Sequence, residues 1–295
     1  MFSKPAVPAR STRHEAAVLC SLRSSLFASL ALLTLSTGFA DAQGAAMIDP
    51  ASARYTAEPG GSIEGSVRVT NPTDLPMRLR LYLSDWDLDP AGNFGFADAG
   101  TMAGTASSWL TYAPTVLELG PQESATVPYT AAVPPDAAPG THWSVLFVES
   151  EPGEPEPGQA AATFAIRVGH VIYIDVPPLT RAGAIAGIFG EPPAQAGAPY
   201  RLTVLYVNGG NAVTGVEGQF TLRNDRGEIV IEADVDRTVV LPGSERAFEI
   251  DVQGPLSAGN YTALLVFDYG DAEQEVAGTY DFTLHEDLPA PSEAP

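Results

Sequence analysis

Downstream of Lys4 the sequence contains no lysine, so the chain beyond the first 42 residues can hold no lysine Schiff base, P-loop lysine or Ser–Lys dyad. The single cysteine, Cys20, rules out a disulfide scaffold and a Cys-rich zinc site. Positive charge is scarce: 15 Lys+Arg stand against 36 Asp+Glu in 295 residues, a formal net charge of -21. Such a surface repels phosphate, which excludes nucleic acid and an anionic membrane face as main partners. Helical periodicity is missing too, since nothing after residue 42 repeats apolar residues at 3.6 over ten positions. What is present is a hydrophobic fraction of 45%, enough for packed cores and too much for a disordered chain.

The first 42 residues read as an export signal. Lys4, Arg10, Arg13 and Arg23 form a basic region. The uncharged run Ser24–Ala40 follows, rich in leucine, and Ala40-Asp41-Ala42 gives an A-x-A cleavage pattern. Cys20 precedes the apolar run, so no lipid attachment is expected. Cleavage would remove four basic and two acidic residues and leave a chain without cysteine whose basic residues are all arginine. The expected product is exported, periplasmic or extracellular, with no transmembrane anchor after cleavage.

The rest of the chain alternates with a period of two. Ile63, Gly65, Val67 and Val69 share one parity, as do Leu75 to Leu83 and Ala125 to Val133. Turn chemistry bounds each run: Glu58-Pro59-Gly60-Gly61, Asn71-Pro72-Thr73-Asp74, Gly120-Pro121 and Pro134-Pro135. Further strands are expected at Tyr200–Asn208, Val213–Arg223, Glu228–Val235, Ser244–Val252, Asn260–Tyr269 and Gln274–Leu284. The apolar stripe changes parity at Trp86 and Leu88, which predicts a bulge near Ser84-Asp85. Asp89–Ser108 reads as a long loop or an extra hairpin, and Glu151–Gly158 as an exposed loop. The fold class is all-β: two immunoglobulin-like antiparallel β-sandwich domains in tandem, 46–176 and 179–285, joined only by Pro177-Pro178. Residues 286–295, rich in proline and acid, are expected to be a disordered tail.

Few residues suggest chemistry. Asp85, Asp87 and Asp89 place a carboxylate at every second position, but a calcium loop of the EF-hand type wants glycine and glutamate where Pro90 and Phe96 stand. No metal or cofactor is expected. His142, His170 and His285 have no G-x-S-x-G elbow to serve, so no catalytic residue is assigned. Trp86, Trp109 and Trp143 fit a sandwich core better than a sugar platform.

Several motifs resemble a known family. Ser52-Ala53-Arg54-Tyr55, the Pro-Gly turn and Gly65-Ser-Val-Arg-Val-Thr-Asn71 resemble the opening of the periplasmic pilus chaperones. Pro139–Trp143 and the apolar strand before Pro177 continue the likeness. Ser108-Trp109, Leu117-Glu-Leu-Gly-Pro121 and Val133-Pro134 are similar to WxL-interacting surface proteins. The chaperone resemblance implies strand donation along Thr163–Val176, with Phe164, Ile166 and Val168 meeting the partner. It also implies that Arg54 grips a partner carboxylate. The family's lysine has no counterpart: Gly169-His170 stands there, and His170 could serve only when protonated. The expected partner is a protein subunit of the cell envelope or of a surface appendage. The alternative is a surface protein that binds cell-wall glycan or another surface protein.

Overall fold

The computed structural model describes residues 44–151, 165–195, 198–252, 256–271 and 273–285. The expected export signal, residue Phe164, most of the Glu151–Gly158 loop and the 286–295 tail lie outside them. Among the described residues no helix is long and apolar enough to cross a membrane.

Ten strands precede Pro177: β1 (Met47–Asp49), β2 (Ser52–Thr56), β3 (Ser62–Thr70), β4 (Met77–Leu88), β5 (Phe94–Asp98), β6 (Leu110–Tyr112), β7 (Val116–Leu119), β8 (Ser124–Ala132), β9 (Gly140–Ser150) and β10 (Arg167–Val176). One sheet runs β1-β3-β8-β6. The other runs β2-β10-β9-β4-β5, with β7 also on β4. Their inward residues alternate as the period-two pattern requires. Val67, Val69, Leu79, Leu81, Val127, Leu146, Ile172 and Ile174 are buried in one core. Burying such side chains contributes roughly 1.5–3 kcal/mol each.

Seven strands follow: β11 (Gly183–Glu191), β12 (Tyr200–Asn208), β13 (Thr214–Asn224), β14 (Ile229–Val240), β15 (Glu245–Val252), β16 (Gly259–Asp268) and β17 (Val276–Leu284). They form the sheets β11-β12-β15 and β14-β13-β16-β17 around a second core that includes Leu202, Tyr206, Phe220, Leu265 and Phe267. The chain is therefore all-β, with two sandwiches in series.

The structure corrects four expectations. One pairing is parallel, β2 on β10, because the chain leaves β1 in one sheet and crosses at Pro50-Ala51 to enter the other. No bulge interrupts β4: Leu79 to Ser84 pair with β9, and Ser84 to Leu88 with β5, in unbroken register. The parity change has another cause. Leu79 and Leu81 face the first core, while Trp86 on the opposite face enters a separate apolar cluster. Leu75 lies outside β4 and is 57% exposed. For Asp89–Ser108 the hairpin alternative is the one found, through β5, and Asp89 accepts the Asn93 N–H at 2.8 Å to close its turn.

The fourth correction concerns the joint, which is more than two prolines. Trp86, Trp143, Val145 and Phe147, on the outer face of the β9-containing sheet, form one buried cluster with Val213 and Leu241 of the second sandwich. Polar contacts surround it. The Thr141 N–H donates to Asn211 O (2.8 Å) and the Ala247 N–H to Pro90 O (2.7 Å). The Asn211 amide donates to Pro139 O and Pro178 O at 3.2 and 3.1 Å.

Candidate functional site

The strand expected to meet a partner, β10, is half covered. From Val171 to Asp175 it lies between β9 and β2. From Arg167 to His170 it pairs with β9 alone among the described residues, because β2 begins opposite Val171. Backbone direction along this stretch follows from its neighbours. The Val171 N–H donates to Ala51 O, and Asp175 O accepts the Ala57 N–H, so odd-numbered residues turn their polar backbone groups to the β2 side. Ile166 O accepts from the Ser150 N–H, so even-numbered residues turn theirs to β9. Arg167 and Gly169 thus hold N–H and C=O groups outward along an open edge, with no pairing strand among the described residues.

Side chains alternate the other way. Val168 and His170 point inward with Ile172 and Ile174, and Val168 packs partly buried against the first core. Ile166 is tied to Ser150, its N–H donating to Ser150 Oγ at 3.1 Å. Arg167 and Gly169 face outward. The Arg167 guanidinium lies 4.8 Å over the Phe96 ring and 4.6 Å over the Phe147 ring. Gly169 has no room for a side chain: a Cβ there would come within 2.7 Å of a Val145 methyl and 3.1 Å of the Phe147 ring.

His170 is fully buried. Its Nδ1–H donates to Pro50 O at 2.8 Å, and its Nε2 accepts from the Tyr129 hydroxyl at 2.9 Å, which itself meets the Tyr55 hydroxyl at 2.9 Å. Burial pulls the imidazole pKa below its ordinary value, against the opposing pull of the Pro50 carbonyl. The ring is therefore neutral and structural. An unfolded chain would protonate it near pH 6.5 while the folded chain would not. Its contribution to stability is complete above that pH and is lost as pH falls toward the folded value. The wild type should accordingly lose urea midpoint between pH 7.5 and 5.5, and His170→Gln should lose less of it over the same interval. Equal losses in the two proteins would contradict this assignment.

Arg54 stands elsewhere. It is opposite Tyr173 on the outer face, so alternation places it and His170 on opposite sides of one sheet. His170 cannot stand beside Arg54 as the missing lysine of the resemblance. Arg54 Nε pairs with Asp175 at 3.0 Å, and one Nη donates to Val213 O of the second sandwich at 3.1 Å. Asp175 also accepts the Thr141 hydroxyl at 2.6 Å, and Thr141 Oγ accepts the Val213 N–H at 3.0 Å. These groups bridge the two sandwiches. Asp175, Thr141 and Arg167 carry no motif in the sequence, and Gly169 enters there only as the residue beside His170. Arg167, Gly169 and Asp175 share the odd parity of β10, which is the one sequence signal that links them.

The remaining candidates are occupied. Asp85 is buried and accepts the N–H groups of Thr101 and Met102 at 2.7 and 2.8 Å. No group of three His, Cys, Asp or Glu side chains among the described residues is placed to hold a metal. Trp86 and Trp143 are buried, and the Trp143 indole N–H donates to Trp86 O at 2.7 Å. Trp109 packs on the first core and lies 4.4 Å from the His142 ring, so the three tryptophans do not form an exposed platform. Both His142 ring nitrogens face backbone carbonyls, those of Gly104 and Ala138.

No protein-family model matches the chain, and no curated protein does. Among solved structures it is similar to fimbrial chaperones. The chaperone–tip adhesin complex of CFA/I fimbriae biogenesis is 13% identical over 80% of this chain and 98% of that one, with a TM-score of 0.46. The CsuC–CsuE chaperone–tip subunit complex of archaic chaperone-usher Csu pili from Acinetobacter baumannii is 11% identical over 79% and 98%, at 0.45. The Salmonella enterica SafA pilin in complex with the SafB chaperone is 12% identical over 80% and 96%, at 0.41.

Proposed function

We propose that the chain is a non-catalytic, exported protein-binding factor of the cell envelope. It holds an extended segment of a protein partner along the open edge of β10, in a chaperone-like or surface-assembly role. The partner is a subunit of a surface appendage, as pilin and tip adhesin are for the fimbrial chaperones named above. The observation that supports this is the unpaired stretch Arg167–His170, whose outward backbone groups would pair with an added strand. The two sandwiches, 46–176 and 179–285, act as two domains, and Arg54 stands at their junction. Ile166 and Val168 lie just before and within the same strand and would extend the contact, joined by Phe164, which precedes them in the sequence.

The edge can be tested at Arg167, whose N–H faces outward. Proline there removes one donor from the open edge without removing a bond to β9. The tagged protein, purified from the envelope of its own host and weighed by native mass spectrometry, should carry a stoichiometric partner protein. Arg167→Ala should retain more of that partner than Arg167→Pro, with at least a tenfold difference in the bound fraction. A bare monomer in the wild type, or equal capture by the proline variant, would defeat the reading.

A further inference from the structure

The open edge carries a code for what pairs with it. We infer that the segment bound by β10 presents an acidic residue beside Arg167, an apolar residue beside Val168 and a large apolar or aromatic residue beside Gly169. This inference rests on the proposed edge pairing and names the chemistry of its partner.

The cross-strand rows of the sheet supply the argument. The first row runs Arg80, Glu149, Arg167 across β4, β9 and β10. Glu149 is held by Arg80 at 3.0 Å and by the Tyr82 hydroxyl at 2.6 Å. Arg167 has no carboxylate within ion-pair distance among the described residues; one Nη donates to the Tyr82 hydroxyl at 3.4 Å, and the guanidinium rests on Phe96 and Phe147. The row alternates plus, minus, plus, and ends with its last cation exposed at the open edge. Opposite charges side by side on neighbouring strands are favourable and like charges unfavourable, so the next position in this row selects a carboxylate.

The second row runs Tyr82, Phe147, Gly169. The Tyr82 and Phe147 rings lie 5.5 Å apart, and the row then drops to a residue with no side chain. Val145 and Phe147 crowd Gly169, where a Cβ would come within 2.7 Å of the Val145 methyl and 3.1 Å of the Phe147 ring. Phe147 is itself buried, so what stays open is the Gly169 backbone at the edge, and a large side chain on the next strand would shield it. The third row lies on the other face and runs Leu81, Val148, Val168. Val168 is only partly buried, and an apolar neighbour would finish covering it.

The order of the three residues depends on strand direction, so a probe should contain both orders. The peptide Thr-Glu-Val-Phe-Val-Glu-Thr reads acid, apolar, aromatic either way. Titrated into the 43–295 protein at low salt, with the Gly169 amide followed by NMR, it should bind about tenfold more tightly than the same peptide with lysine for both glutamates. Half-molar salt should shrink that preference, and Arg167→Ala should abolish it while the fold, checked by circular dichroism, is kept. A peptide with glycine for phenylalanine should bind several-fold more weakly. Equal binding of the acidic and basic peptides, both blocked by Arg167→Pro, would overturn the code and leave the edge reading standing. Failure of every peptide to shift Gly169 would overturn both.

Discussion

Trp143→Ala is expected to lower stability by about 3–5 kcal/mol, the usual cost of emptying a buried aromatic site. Trp143 is only 8% exposed and stands in the cluster with Trp86, Val145, Phe147, Val213 and Leu241. Its ring lies 6.3 Å from that of Trp86, edge to face, and its indole N–H satisfies Trp86 O. Alanine would therefore create a cavity and orphan a buried carbonyl, two separate penalties. The cluster draws on both sandwiches, so the second consequence is a loss of coupling between them. The wild type should unfold in urea in one transition, whereas the variant should show two, because the two cores no longer share this contact. Tryptophan fluorescence and far-ultraviolet circular dichroism would separate the steps. A loss below about 1 kcal/mol, on the scale expected of a surface substitution, would mean that the cluster is a loose contact.

Much of this architecture could be read from period-two alternation. Val67, Val69, Val127 and Tyr129 share inward parity in the sequence and are buried in the structure. Strand Tyr200–Asn208 was bounded to the residue by its flanking turn chemistry. β11 escaped notice because Gly183-Ala-Ile-Ala-Gly-Ile-Phe-Gly has few β-branched residues and its glycines break the alternation. The supposed bulge in β4 came from assuming that a strand has a single apolar face. β4 has two, since its outer face is buried against other aromatics. β10 also has two faces. Its even stripe, with Val168 and His170, is the more hydrophobic and is the one that period-two alternation picks out. The odd stripe carries Arg167, Gly169, Tyr173 and Asp175, a mixed set with no period of its own. Those residues acquire meaning only when β9 and β2 are set beside them, and that is tertiary information. Arg54 was visible as a residue of interest, but its partner Asp175 lies 121 positions away.

Asp175→Ala should cost about 2–3 kcal/mol. Removing one partner of a largely buried ion pair typically costs 3–5 kcal/mol, and the partial exposure of Arg54 reduces that. The Asp175 side chain is 9% exposed and that of Arg54 is 42% exposed. The loss would strand the Arg54 guanidinium and the Thr141 hydroxyl together, and both reach Val213 in the second sandwich. Asp175→Asn should cost less, because an amide oxygen can still accept from Thr141. The pairing of Arg54→Ala with Asp175→Ala in a double-mutant cycle then decides the role of the arginine. A coupling above about 1 kcal/mol, with partner capture by Arg54→Ala unchanged in native mass spectrometry, would assign Arg54 to the junction. Its charge would then be committed to Asp175, and a partner would have to be held by the strand edge alone. A coupling near zero, with capture lost in Arg54→Ala, would assign it to the partner instead. Asp175 would then be a neighbour that any incoming carboxylate must displace.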